Sequence, residues 1–360
     1  MQGKSLKDYV ISHLLPRVQM PAQYLGGELN MVTKDLAAVR GRLCLAFPDA
    51  YTIGMSHHGL QVLYNLMNGL DDWYCERVFT PLLDMEQQLR RSGMPLYSLE
   101  TFTPLVGFDV LGFSLQYEMG YTNVLTMLDL GGIPLHAEQR SADDPLVIAG
   151  GPGAQNPEPL APFIDAFVTG DGEASLPQVC RVWKELQESA PRNAGARRET
   201  REAMLAELAV RLPFVYVPRF YDPEYQDGRM VALNRTRTDV PETIAPSLIA
   251  ELDAVPLPTR PVVPYVECVH DRISIEIMRG CPWQCRFCQS TVIKRPLRVR
   301  SVDSIVQSAL ETYRHTGYNE ISLLSLSSSD YPYFEQLVRK LKEVFGPLGV
   351  NISVPSLRVN

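Results

Sequence analysis

Short apolar runs, punctuated by glycine and proline and alternating with segments of helical spacing, organise the first half of the chain. Residues 42–47 read as a strand, with a loop from Pro48 to Ser56 and a helix over 57–68. Residues 78–92 read as a helix and 95–98 as a strand. Residues 110–114 form the next strand and 122–130 the next helix. A strand over 145–149 runs into Gly150-Gly151-Pro152-Gly153, and a fifth strand over 166–169 precedes a helix over 173–188. Strands alternating with helices in this way predict an α/β domain with a doubly wound parallel sheet. Ligands of such sheets bind beyond the carboxyl ends of the strands, where the glycine-rich loops fall here. Ahead of it, residues 1–40 read as a helix followed by an irregular segment at Gly26-Gly27.

The pattern changes after residue 188. Residues 189–202 are charged and poor in apolar residues, which predicts a mobile connector. Residues 214–218 and 230–233 read as two strands of a small β unit turning at 226–229. Pro256, Pro258, Pro261 and Pro264 then predict an extended linker. A β-branched run over 272–278 starts a third section, with helices over 302–317 and 331–345 and strands over 320–326 and from 351 onward. The expected organisation is an α/β domain over 1–190, a linker with a small β unit over 191–265, and a second α/β section over 266–360.

Length and composition narrow the class. At 360 residues the prior is about two domains. An apolar content of 45% and a charged content of 21% are those of a globular protein. The net charge of −7 carries no basic footprint for nucleic acid, although a local patch would suffice for RNA. No stretch is long enough to span a membrane, and residues 1–8 have no apolar signal core. The Gly150–Gly153 run lacks the Gly-Lys-Ser/Thr ending of a P-loop, and no Ser-His-Asp or metalloprotease pattern occurs.

Chemistry concentrates in Arg279-Gly280-Cys281-Pro282-Trp283-Gln284-Cys285-Arg286-Phe287-Cys288. Three thiolates can hold three irons of a 4Fe-4S cluster and leave the fourth iron open to a substrate or cofactor. The competing reading is zinc, which wants four ligands, with Cys268 or His270 as the fourth. Cys44, Cys75, Cys180 and Cys268 lie scattered in apolar stretches and read as buried thiols. A disulfide framework does not suit a chain of this size without a secretion signal.

The same ten residues resemble the cluster loop of the radical S-adenosylmethionine (radical SAM) superfamily. There the open iron chelates the amino and carboxylate groups of AdoMet, and reduction cleaves the sulfonium to a 5′-deoxyadenosyl radical. The resemblance implies that Cys281, Cys285 and Cys288 hold the cluster, at the end of the first strand of a partial (β/α)6 barrel. It also implies that Phe287, Ser325, Ser327, Asp330 and Arg358 meet AdoMet. Ser325–Asp330 stands where the family often has a Gly-Gly-Glu-like loop, and a plain polar turn is the alternative. A surface arginine is the alternative for Arg358. About half of the family's six β-α units are present, so the sequence reads as a fragment of a longer protein with an incomplete barrel.

The first domain resembles cobalamin-binding domains of the methionine-synthase type, which carry Asp-x-His-x-x-Gly after the first strand. Asp49 and Gly54 match, but Tyr51 stands at the cobalt-ligand position. Ser114 resembles the serine that meets the displaced nucleotide tail, although Leu115 follows it directly. Gly150-Gly151 resembles the double glycine that admits the tail. The run from Gly150 through Asn156-Pro157-Glu158-Pro159 to Asp165–Glu173 resembles radical SAM enzymes that carry such a domain. The resemblance therefore implies cobalamin as a further cofactor, without a lower protein ligand at Tyr51. His57 and His58 are alternative ligands on the following helix. A docking module that has lost the cofactor is the other reading.

The implied function is an enzyme that reductively cleaves AdoMet to start radical chemistry, with cobalamin-dependent methylation leading. Rearrangement, cyclisation or thiolation without cobalt chemistry is the second reading. An iron–sulfur electron-transfer module is the third. A flavodoxin or ferredoxin would supply electrons, and an oxygen-labile cluster points to the cytoplasm.

Overall fold

The computed structural model describes residues 5–190 and 197–357. Contacts divide the chain into two compact units. The first comprises Met1–Gly27, Val32–Gly54 and Met67–Leu248, and the second Glu28–Met31, Met55–Leu66 and Ile249–Asn360. Among the described residues no helix is long and apolar enough to cross a membrane.

The first unit is built on a six-stranded sheet. Its strands are β1 (Gly41–Phe47), β2 (Trp73–Phe79), β3 (Val110–Ser114), β4 (Leu146–Gly150), β5 (Ala166–Val168) and β6 (Val215–Tyr216). The order is β2-β1-β3-β4-β5-β6, parallel except for the antiparallel pair β5–β6. The doubly wound parallel sheet read from the sequence is therefore present, with three differences in its elements.

Residues 73–79 are a strand, and the helix begins only at Leu83. Glu76 and Arg77 disguise that strand, because both charges are buried and paired. Glu76 meets Arg42 and accepts from Ser98 Oγ at 2.6 Å and Thr101 Oγ1 at 2.7 Å. The Arg77 Nε lies 2.6 Å from Glu100 Oε1. Residues 95–98 form no strand; Tyr97 makes only an isolated bridge to Pro104.

The supposed connector leads into a helix, Arg197–Arg211, while residues 191–196 lie outside the described residues. Arg201 is fully buried on that helix, 2.7 Å from Asp165 Oδ2, which also takes Arg140 at 3.0 Å and the Val147 amide at 2.9 Å. A buried charge is tolerated where its polar atoms find such partners. Residues 215–216 join the main sheet, and the separate hairpin is β7 (Tyr221–Gln226) with β8 (Arg229–Arg235), turning at Asp227-Gly228.

The second unit has a parallel sheet of β9 (Ile273–Glu276), β12 (Glu320–Leu324) and β13 (Asn351–Ser353), in the order β13-β12-β9. Between them β10 (Met278–Arg279) pairs antiparallel with β11 (Arg298–Val299). Strand alternation sorts the sheet's residues by face. Ile273, Ile275, Ile321 and Leu323 cluster with Ile305, Leu337, Leu341 and Phe345 of the helices Val302–Thr316 and Phe334–Phe345. Ser301 caps the first of these helices through the Ser304 amide, and Gly317 at φ +70° ends it.

The proline-rich stretch is no free linker. Leu257 belongs to that apolar cluster, and Val262 N donates to Gln61 Oε1 at 3.0 Å. Arg298 Nη1 reaches the Ile249 carbonyl at 2.8 Å, and Arg300 Nη1 the carbonyls of Leu252 and Val255 at 2.6 and 2.8 Å.

Candidate active site

In the second unit the site begins where β9 ends. Glu276, its last residue, takes Arg279 Nε at 2.9 Å and Nη2 at 2.8 Å, a fork-to-fork pair with both side chains largely buried. Burial pushes the Glu276 carboxyl up, but the bonds and charge of Arg279, with His58 and Arg300, outweigh it and hold the group below the usual carboxylate range. Gly280 follows at φ +94°. A Cβ there would lie 2.7 Å from the Lys294 carbonyl oxygen and 3.0 Å from that of Pro296. Glycine alone lets the chain leave β10 this close to the returning backbone.

Cys281, Cys285 and Cys288 lie on the loop that opens there. All three are thiols outside any disulfide and of intermediate exposure, and the Cys288 amide donates to the Cys285 carbonyl at 3.0 Å. The other four cysteines are buried. Burial pushes the thiols of Cys44, Cys75 and Cys180 up, and that of Cys268 up to about 12. Such thiols stay protonated and inert. Cys268 Sγ is spent on the Val266 carbonyl at 3.4 Å.

Among the described residues no three His, Cys, Asp or Glu side chains gather about one point as a single metal ion requires. A 4Fe-4S cluster makes a different demand, since each thiolate binds its own iron. Three accessible sulfur donors within eight residues fit that group in number and chemistry.

Ser325, Ser327 and Asp330 follow β12. Ser325 Oγ is 2.8 Å from Ser328 Oγ, and Asp330 Oδ2 accepts from Ser327 Oγ and from Trp283 Nε1, both at 2.6 Å. Phe287 is 92% exposed, so its ring face is available to a ligand. Arg358 lies outside the described residues. Three features went unremarked in the sequence. Glu276 is a charge within a β-branched run, which is a readable signal. Trp283 gains its meaning only from the distant Asp330. Ser274, Ser322 and Ser353 stand in register across β9, β12 and β13, opposite the apolar face, and only strand pairing shows it.

In the first unit the strand order puts a topological switch between β1 and β3, the crevice where such sheets bind ligands. Asp49 follows β1, Ser114 ends β3, and Gly150 is Ser114's register partner on β4. The three therefore sit at the carboxyl ends of adjacent strands. Asp49 accepts from the Ala50 amide at 2.8 Å and from the Tyr117 hydroxyl, and Ser114 Oγ accepts from Gln116 Nε2 at 2.9 Å. Gly151, at φ +95°, would put a Cβ 2.5 Å from the Leu115 carbonyl oxygen. It is what lets the β4 loop lie on the β3 loop.

Tyr51 and Gly54 both pack on Phe79 of β2. They bound a short helix, and the Tyr51 ring is 2% exposed, edge-on to Phe79 with centroids 5.3 Å apart. A Cβ on Gly54 would lie 2.3 Å from Phe79 Cε1.

Comparison with known proteins finds family matches in both halves of the chain. Residues 59–218 match the family model for radical SAM proteins, N-terminal, and residues 275–360 match that for the radical SAM superfamily. The uncharacterized protein MJ0966 of Methanocaldococcus jannaschii is 24% identical over 322 residues, which cover 88% of this chain and 55% of that protein. The chain thus spans about half the length of this curated relative. Two structures of the radical S-adenosylmethionine methyltransferase TsrM from Kitasatospora setae also align. The one with tryptophan substrate and the SAM analog aza-SAM bound gives a TM-score of 0.47 at 14% identity, over 85% of this chain and 52% of that one. The one with cobalamin and a 4Fe-4S cluster bound gives 0.48 at 13%, over 86% and 52%. With both domain models matched and the cysteine loop at the end of the first strand of a parallel sheet, the chain belongs to the radical SAM superfamily.

Proposed function

We propose that this chain holds a 4Fe-4S cluster on Cys281, Cys285 and Cys288 and uses it to cleave AdoMet reductively, starting radical chemistry on a substrate. The observation that carries the reading is three partly exposed thiols on one loop, none in a disulfide, while the other four cysteines are buried. Bound there, the cluster and AdoMet would supply a carbon-centred radical, which no side chain can generate. The chain's own part is placement. Gly280 and the β10–β11 pair close the loop's base, the Glu276–Arg279 pair fixes its first turn, and Phe287 offers an exposed ring. A flavodoxin or ferredoxin would supply the electron.

Methyl transfer assisted by cobalamin is the leading reaction. What supports it is Asp49, Ser114 and Gly150 at the switch point, with Gly151 bringing the backbone of two loops together. The burial of Tyr51 and the filling of the Gly54 position by Phe79 favour the second reading, a rearrangement, cyclisation or thiolation with a domain that no longer binds the cofactor.

Anaerobic reconstitution of the full-length protein, with iron, sulfide and 5′-deoxyadenosine assays, tests the first claim. About four irons with AdoMet cleavage is expected. Iron without cleavage would leave an electron-transfer module. For cobalamin, paramagnetic resonance of the cob(II)alamin form is expected to show no nitrogen splitting from a lower protein ligand. Splitting that vanishes on changing His57 or His58 would contradict this, and no cobalamin binding with cleavage intact would favour the second reading.

A further inference from the structure

One carboxylate oxygen joins the cluster loop to the loop after β12. Asp330 Oδ2 accepts from the Trp283 indole N–H and from the Ser327 hydroxyl, each at 2.6 Å. An indole nitrogen can only donate and an ionised carboxylate only accept, so the pair is matched in chemistry. Trp283 stands midway between Cys281 and Cys285. From Asp330 the contacts continue: the Ser328 amide donates to the Ser356 carbonyl at 2.6 Å, beyond the end of β13. Polar contacts therefore link the loops at the carboxyl ends of all three parallel strands.

Packing does little to hold the cluster loop. Pro282, Gln284, Arg286 and Phe287 are all exposed, and the three cysteines are only partly covered. Gly280 defines where the loop starts, and the Trp283–Asp330 bond ties its first arm further out. We propose that Asp330 is a positioning residue. It fixes Trp283, and with it the Cys281–Cys285 arm, in the conformation that accepts the cluster, and so couples the loop after β12 to the cluster rather than touching AdoMet itself. The proposal rests on the radical SAM reading of the cysteine loop.

The test uses the full-length protein with Asp330→Ala, Asp330→Asn, Trp283→Phe and the Trp283→Phe/Asp330→Ala double variant. In the cluster-free protein, amide hydrogen exchange over residues 281–288 should quicken about tenfold in Asp330→Ala. It should quicken equally in Trp283→Phe and no further in the double variant. Asp330→Asn, whose amide oxygen still accepts, should restore most of the protection. After reconstitution, the concentration of AdoMet needed to alter the reduced cluster's paramagnetic spectrum should rise about tenfold in both single variants. Unchanged exchange in Asp330→Ala, or additive effects in the double variant, would overturn the proposal. So would loss of the AdoMet response in Asp330→Ala while Trp283→Phe behaves as the parent. A parent protein that binds no cluster would sink the radical SAM reading, and the exchange data would still decide whether the latch exists.

Discussion

Glu276 and Arg279, three residues apart, meet through the guanidinium Nε and Nη2 at the base of the loop that carries Cys281. The Glu276 carboxyl titrates below its ordinary range, so the sign of its pH effect is defined. In the unfolded chain it titrates near about 4.3. The pair's stabilisation is therefore fully present above that value and is lost as pH falls through the lower folded value. Glu276→Gln should flatten this part of the acid limb, seen as a smaller parent-minus-variant difference in melting temperature below about pH 4. Arg279→Met, which strands the carboxylate, should cost about 3 kcal/mol near neutral pH by denaturant unfolding. A pH-independent difference between parent and Glu276→Gln would contradict the assignment.

The two adjacent glycines after β4 should respond differently to alanine. At Gly151 the methyl group would meet the Leu115 carbonyl oxygen at 2.5 Å in a backbone conformation alanine avoids. At Gly150 the nearest atom, the Val168 carbonyl oxygen, would be 3.6 Å away, an ordinary contact. Gly151→Ala is expected to cost about 2 kcal/mol or more. Gly150→Ala should stay within about 0.5 kcal/mol. Urea unfolding of the two variants settles it, and equal losses would mean that the loop relaxes.

Gly54→Ala separates packing from cofactor contact. Its methyl group would strike the Phe79 ring at 2.3 Å, so the loss should appear in protein free of any cofactor, at about 1–3 kcal/mol. A variant that melts like the parent yet fails to bind cobalamin would instead place Gly54 in a cofactor site.

Cysteine replacements should fall into two classes. Alanine at Cys281, Cys285 or Cys288 should abolish AdoMet cleavage and lower reconstituted iron while leaving the melting temperature of the cluster-free protein within a few degrees, since these side chains are partly exposed. Alanine at Cys44 or Cys180 should keep iron and cleavage and cost about 1 kcal/mol of stability, because each sulfur is fully buried. Full cleavage by Cys285→Ala would remove the basis of the proposed function.

Strands β1, β3 and β4 were legible because each is an apolar run ended by turn residues. Strand β2 was not, because Glu76 and Arg77 break its apolar pattern and only their partners, Arg42 and Glu100, make their burial tolerable. The helix Arg197–Arg211 was hidden in the same way by Arg201, whose partner Asp165 lies 36 residues earlier. Periodicity reports burial only where polar residues stay outside, and both segments bury charges against distant segments of the chain.

By itself the sequence determined the doubly wound sheet of the first unit, the three-cysteine loop and the distinction between those thiols and the buried four. These are local properties: alternation, spacing and the apolarity of neighbours. Tertiary structure alone decided that Tyr51 turns inward onto Phe79, that Asp330 holds Trp283, and that Ser114 stands beside Gly150. Each depends on strand order and register, which bring together residues tens of positions apart and leave no mark on the sequence near either one.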